Sequence, residues 1–178
     1  MSADSQRDKT GWVHSILERY EGPLIRYAAR ITGDVERARD VVQETFVRLC
    51  AQERGTVDGH EAEWLFTVCR HRALDVQRKE RRVTPTDDET IHDYPSGDPS
   101  PAALAERDDD HTHVLRALGS LPANQQEVIR LKFQNGLSYE EISRITNLTV
   151  TNVGFLIHTG LKGLRYRLRA EFDLKPKL

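Results

Sequence analysis

Apolar residues in the first part of the chain recur at spacings of three and four. Val13, Ile16, Leu17, Tyr20, Leu24, Tyr27, Ala28 and Ile31 form one such stripe. It predicts an amphipathic helix over about 12–31, with Pro23 as a kink and Thr32-Gly33 as its end. Asp34 then caps a second helix, about 35–53, because its carboxylate accepts from backbone N–H groups of the first turn. Ala38, Val41, Val42, Thr45, Phe46 and Leu49 mark the core face of that helix, and its opposite face is charged. A third helix, about 61–80, presents Trp64, Leu65, Val68, Ala73, Leu74 and Val76 inward. Three helices of this length joined by short loops predict a small bundle.

The periodicity stops over 83–110, which holds Pro85, Pro95, Pro99 and Pro101 and few large apolar residues. This stretch is expected to be a flexible linker, turning helical near Pro101-Ala102-Ala103-Leu104-Ala105. Helical patterning resumes at His113–Leu118. Pro122 suits the start of the next helix, about 122–134, whose core residues are expected to be Val128, Ile129, Leu131 and Phe133. Gly136 ends that helix by admitting a left-handed residue. Ser138 and Glu141, three residues apart, make a capping box for a short helix. Asn147 supplies a tight turn, and Thr149 or Thr151 caps a last helix over about 150–168. In that helix Val153, Ile157, Gly160 and Leu164 fall on one inward face, and Ser143 is the small residue where two helices cross. No strand-like alternation appears. The fold expected is all-α: an N-terminal helix bundle (1–82), an acidic flexible linker (83–110) and a C-terminal helix-turn-helix domain (111–178).

Charge sharpens this division. The 178-residue chain has a net charge of −2, but the sign changes along it. Residues 70–82 carry six Arg/Lys against two acids, and residues 83–110 carry nine acids against one arginine, Arg107. Residues 130–178 return to nine basic residues against four acids. Two basic blocks around an acidic connector point to two anion-binding modules rather than one evenly solvated surface.

Other classes are disfavoured. Hydrophobic residues make up 38% and charged residues 30% of the chain, with no apolar run near the roughly 20 residues of a membrane span. The opening MSADSQRDKTGW has no apolar stretch, so no secretory signal and no membrane insertion are expected. Cys50 and Cys69 lie within helical patterns, which suggests buried reduced thiols and a cytoplasmic protein. His111 and His113 beside Asp108–Asp110 lack a third ligand on a rigid element, so no metal is expected. There is no glycine-rich phosphate loop and no nucleophile-base motif, hence no enzyme and no cofactor.

Three stretches then carry a resemblance. "DVERARDVVQETFVRL" (34–49), "WLFTVCRHRALDVQRKERR" (64–82) and "LPANQQEVIRLKFQNGLSYEEISRITNLTV" (121–150) resemble, in order, the extracytoplasmic-function (ECF) sigma factors of the bacterial sigma-70 family. The resemblance implies a factor that binds core RNA polymerase and directs promoter recognition, DNA opening and transcription initiation. It implies that Asp40, Gln43 and Glu44 lie against the clamp helices of the largest catalytic subunit, and that the second domain meets the flap of the second subunit. It assigns Arg70, His71, Arg72, Asp75, Arg78, Lys79, Arg81 and Arg82 to the −10 element, with His71 where the family usually carries asparagine. The loop 51–61 then helps capture a flipped base, and Trp64 is either a stacking aromatic or a core residue. Partners implied are promoter DNA and an anti-sigma protein, and the linker is expected to run through a basic channel of the polymerase.

The resemblance is weakest in the last helix. Gly154, Phe155 and Leu156 stand where the family carries Lys, Ser and Arg-like residues, and Thr159 and Leu161 stand at other basic positions. The expected −35 contacts are therefore Thr149, Thr151, Asn152, Phe155, Leu156, Lys162 and Arg165, with Arg167 and Arg169 near the same end. Asparagine matches adenine bidentately and apolar groups pack on thymine methyls. The alternatives are a polymerase-binding interaction module, whose apolar Phe155 and Leu156 surface meets a protein, and a helix-turn-helix regulator of another kind.

Overall fold

The computed structural model describes the backbone of residues 3–83 and 109–173. Within them are seven α-helices and no strand: α1 (Ala3–Thr32), α2 (Val35–Ala51), α3 (Glu61–Val83), α4 (Asp109–Gly119), α5 (Ala123–Phe133), α6 (Tyr139–Thr146) and α7 (Val150–Asp173). Helices α1, α2 and α3 pack on one another, while α4 and α5 pack on α7. The chain accordingly divides into two compact all-helical units. Nearly all of the expected linker, including the turn near Pro101, lies outside the described residues.

In the first unit, α1 starts well before its apolar stripe and continues through Pro23. Thr32 and Gly33 close it, Gly33 at φ 72°. Asp34 caps α2 as expected, its Oδ1 accepting from Arg37 N at 2.8 Å. The six residues anticipated on the core face of α2, from Ala38 to Leu49, are the six that are buried. In α3 the phase differs from expectation. Leu65, Phe66, Cys69 and Ala73 are buried, while Trp64, Val68, Leu74 and Val76 are only partly so. Helix α3 packs on both α1 and α2, so its most buried line keeps Leu65 and Ala73 of the expected set and adds Phe66 and Cys69. Phe66 meets Tyr27 edge-to-face at 5.2 Å between ring centroids, a favoured aromatic geometry.

Polar links fasten these helices. Gln77 Nε2 donates to the Ile31 carbonyl at 2.8 Å, satisfying one of the carbonyls that a helix C-terminus leaves open. Arg37 Nη1 donates to Glu80 Oε2 at 2.7 Å, joining α2 to α3. The two thiols are not alike: Cys69 is buried but Cys50 is exposed, contrary to the expectation of two buried thiols.

In the second unit, Pro122 occupies the N-cap position of α5 at φ −54°. Gln126 Nε2 ties the α4–α5 loop by donating to the carbonyls of Gly119 (2.9 Å) and Leu121 (2.8 Å). Leu118, Leu121 and Ile129 cluster, with Leu164 of α7 packed against them. Phe133 departs from its expected core role and is 62% exposed, while Arg130 is buried. Gly136 does take a left-handed conformation, at φ 71°.

Candidate polymerase and nucleic-acid interfaces

With its apolar face consumed by the core, α2 turns Asp40 and Gln43 to solvent, and Glu44 is half-buried. Val47 joins them at 64% exposure, four residues after Gln43. Sequence reasoning passed over Val47, although an apolar residue out of phase with the core stripe was its signal. Beside Gln43 an open groove of about 390 Å³ runs between α1 and α2, lined by Val13, Leu17, Ile25, Val42 and Phe46.

Glu44 does not stand alone. Arg72 Nη2 donates to its Oε1 at 2.8 Å, and Arg72 Nε lies 2.5 Å from its Oε2. Hydrogen bonding to Glu44 raises the pKa of the Arg72 guanidinium above its ordinary value. Two residues assigned from sequence to different surfaces are thus brought together.

Along α3, His71, Asp75, Arg78, Lys79 and Arg82 are exposed. Spacings of four, three and four place His71, Asp75, Arg78 and Arg82 on one stripe of the helix. Arg78 Nη1 donates to Asp75 Oδ1 at 3.3 Å in an exposed pair, 68% and 59% accessible, which is weak enough to open for another anion. Arg70 is half-buried, and the side chain of Arg81 lies outside the described residues. The loop before α3 holds a turn of 3₁₀-helix, Arg54–Thr56. It is pinned by Val57, which is fully buried, and by Arg54 Nη1 donating to Asp8 Oδ2 at 3.1 Å. At the start of α3, burial opposes ionisation of Glu61, yet the backbone N–H groups of Glu61 and Gly59 hold its carboxyl below the usual range.

In the second unit the helix-turn-helix is built from local signals. Ser138 Oγ accepts from Glu141 N at 3.2 Å, and Glu141 Oε2 accepts from Ser138 N at 2.7 Å, completing the capping box. Asn147 is left-handed at φ 58°. Ser143, anticipated only as a small crossing residue, closes the turn by donating Oγ–H to the Leu148 carbonyl at 2.6 Å. Of the two candidate caps it is Thr149 that serves, its Oγ1 accepting from Asn152 N at 3.2 Å.

Helix α7 sorts the ambiguous residues. Val153, Ile157 and Gly160 are buried and Leu164 partly so, as expected. Leu156 is only 7% exposed, so it fills the core and is corrected out of the DNA-facing set. Phe155 points the other way at 62% exposure, with Thr149, Thr151, Asn152, Lys162 and Arg165 also exposed. His158, exposed three residues after Phe155, lies on the same side and was missed. The glycine at 154 has a structural partner: a Cβ there would sit 3.5 Å from the Tyr139 ring, and Lys132 Nζ approaches the same ring at 5.4 Å from its centroid.

Comparison with known proteins bears on both units. Residues 16–83 match the family described as Sigma-70 region 2, and residues 112–164 match Sigma-70, region 4. The ECF RNA polymerase sigma factor SigL of Mycobacterium tuberculosis is 31% identical over 164 residues, covering 88% of this chain and 89% of that protein. SigM of Bacillus subtilis, also an ECF RNA polymerase sigma factor, is 28% identical over 162 residues, covering 90% and 95%. Among solved structures, the sigma factor RpoE of Bartonella quintana, crystallised with the anti-sigma factor NepR, shares the fold with a TM-score of 0.64 at 22% identity, covering 92% of this chain and 98% of that one. The chain belongs to the extracytoplasmic-function sigma factors of the sigma-70 family, and its function is to direct transcription initiation at promoters, not to catalyse a reaction.

Proposed function

We propose that the first unit docks on core RNA polymerase through α2 and holds the opened −10 strand along α3, while the second unit sets α7 into the major groove of the −35 element. The observation that carries this reading is the division of each helix into a buried apolar face and a solvent face bearing the expected residues. On α2 the part outside the core includes Asp40, Gln43, Glu44 and Val47, whose carboxylates suit basic groups on the clamp helices of the largest subunit. On α3 it is the stripe from His71 to Arg82, whose cations suit phosphates. On α7, Thr149, Thr151 and Asn152 form the first turn, where a recognition helix makes most of its base contacts. Phe155 follows as an apolar surface for thymine methyls, and Lys162 and Arg165 suit the backbone.

Free factor is held by an anti-sigma protein, as RpoE is by NepR in the solved complex, and it works in the cytoplasm, where its polymerase is. No helix among the described residues is long and apolar enough to cross a membrane. The second unit approaches the flap of the second large subunit. The test is run-off transcription by purified core polymerase with and without the protein, on genomic fragments that include its own upstream region. Factor-dependent starts support the reading and reveal both promoter elements. Core binding without initiation would instead favour an interaction module with Phe155 at its centre.

A further inference from the structure

Glu44 and Arg72 lie 28 positions apart on different helices, yet Arg72 engages both oxygens of the Glu44 carboxylate. We propose that Arg72 is a positioning residue for polymerase docking and not a DNA contact: it orients Glu44 beside Asp40 and Gln43, and the −10 strand is held without it. This rests on the reading that α2 docks on core polymerase.

Three features carry it. Arg72 falls outside the solvent-facing stripe of α3, its side chain 36% exposed against 68% for Arg78. A phosphate approaching Arg72 would also meet the carboxylate that already occupies its fork, and Asp75 adds to the negative field there. Secondly, Glu44 keeps capacity for a partner. An ionised carboxylate has about four acceptor positions, two of which face Arg72, and the Glu44 side chain remains 46% exposed. A donor from the polymerase therefore meets a carboxylate already fixed in orientation, which lowers the entropic cost of ordering it on binding. Thirdly, α2 and α3 do not depend on this pair for their packing. Arg37–Glu80 joins the same two helices, and Thr45 of α2 and Cys69 of α3 are both fully buried and hydrogen-bonded to each other. Losing Arg72 should loosen one carboxylate and leave the bundle standing.

The test uses the full-length protein with bacterial core polymerase, reading core affinity by fluorescence anisotropy and holoenzyme binding to a promoter fragment with an unpaired −10 strand over a range of salt. Arg72→Ala should weaken core binding by about two- to fivefold, as expected for a partly exposed pair. Glu44→Gln should weaken it by on the order of tenfold, and adding Arg72→Ala to Glu44→Gln should cost nothing further. Arg72→Lys should recover part of the loss. The exchanged pair Glu44→Arg with Arg72→Glu should regain the wild-type melting temperature but not core affinity, which separates orientation from folding. The salt slope of promoter binding should be that of wild type in Arg72→Ala. Unchanged core affinity, with that slope reduced by about one, would make Arg72 a phosphate contact and overturn the proposal. Wild-type core affinity in Glu44→Gln would also overturn it, leaving nothing to position, while the sigma activity stood. Failure of the wild-type chain to bind core would remove the docking reading itself, and the proposal with it.

Discussion

A Cβ added to Gly160 of α7 would lie 2.6 Å from Ile129 Cδ1 and 3.3 Å from Gln125 Cβ of α5. Glycine here sets how closely the two helices approach. Gly160→Ala gains about 1 kcal/mol of helix propensity, but its methyl must displace the buried Ile129 side-chain tip and press on Gln125 Cβ, at about 1–3 kcal/mol. We expect a net loss of about 1 kcal/mol in the second unit, measured by urea unfolding followed by circular dichroism. Trp12 and Trp64 are both in the first unit, so the transition read by tryptophan fluorescence should not move.

The two thiols should separate cleanly by reactivity. Burial pushes the Cys69 thiol up to about 12, against a smaller opposing effect of the Thr45 hydrogen bond, and only the thiolate is an effective nucleophile. A native thiol titration should count one reactive cysteine, Cys50, and two after unfolding. Because the folded-state value lies above the ordinary one near 9, the neutral thiol stabilises the fold fully below about pH 9. That contribution is lost as the pH rises toward 12. Cys69→Ala should flatten the alkaline fall in stability of the first unit.

Asn152 is exposed in the first turn of α7, where its amide could pair bidentately with adenine. Asn152→Ala should lose about 1–3 kcal/mol of preference at one or two base pairs of the −35 element. Competition between promoter variants is the measurement. Equal weakening on every sequence would count against a base contact.

Arg165 is exposed on α7 more than three turns beyond that tip, and its expected role carries no sequence information. Arg165→Ala should weaken holoenzyme binding evenly across promoters and reduce the log-log salt slope by about one. A slope identical to that of wild type would sink the assignment.

What the sequence made legible was mostly local chemistry. Asp34, the Ser138–Glu141 box and the left-handed Asn147 each act within a few residues, so their roles follow from type and spacing. The core face of α2 was equally plain because that helix has one apolar stripe. Helix α3 was harder. It packs on two neighbours, which buries Phe66 and Cys69 beside Leu65 and Ala73 and leaves Trp64 and Val68 at the margin. In α5 Phe133 is exposed and Arg130 buried for a similar reason: the long stem of arginine can be covered, and a ring near a helix end need not be. Leu156 and Phe155 are adjacent and both apolar, but Leu156 lies three residues after Val153 and four before Gly160, so the inward stripe of α7 already held the signal that it is core. The Glu44–Arg72 pair was invisible, since nothing in local spacing relates residues on separate helices.

The exposed stripe of α3 also has a length. From His71 to Arg82 the helix rises about 16.5 Å at 1.5 Å per residue. Hydrogen bonds hold this span at fixed spacing, and Gln77 moors it to the end of α1. On the proposed −10 role the helix acts as a ruler: its rigid span fixes in advance the spacing of the cations that the phosphates of an opened strand must match.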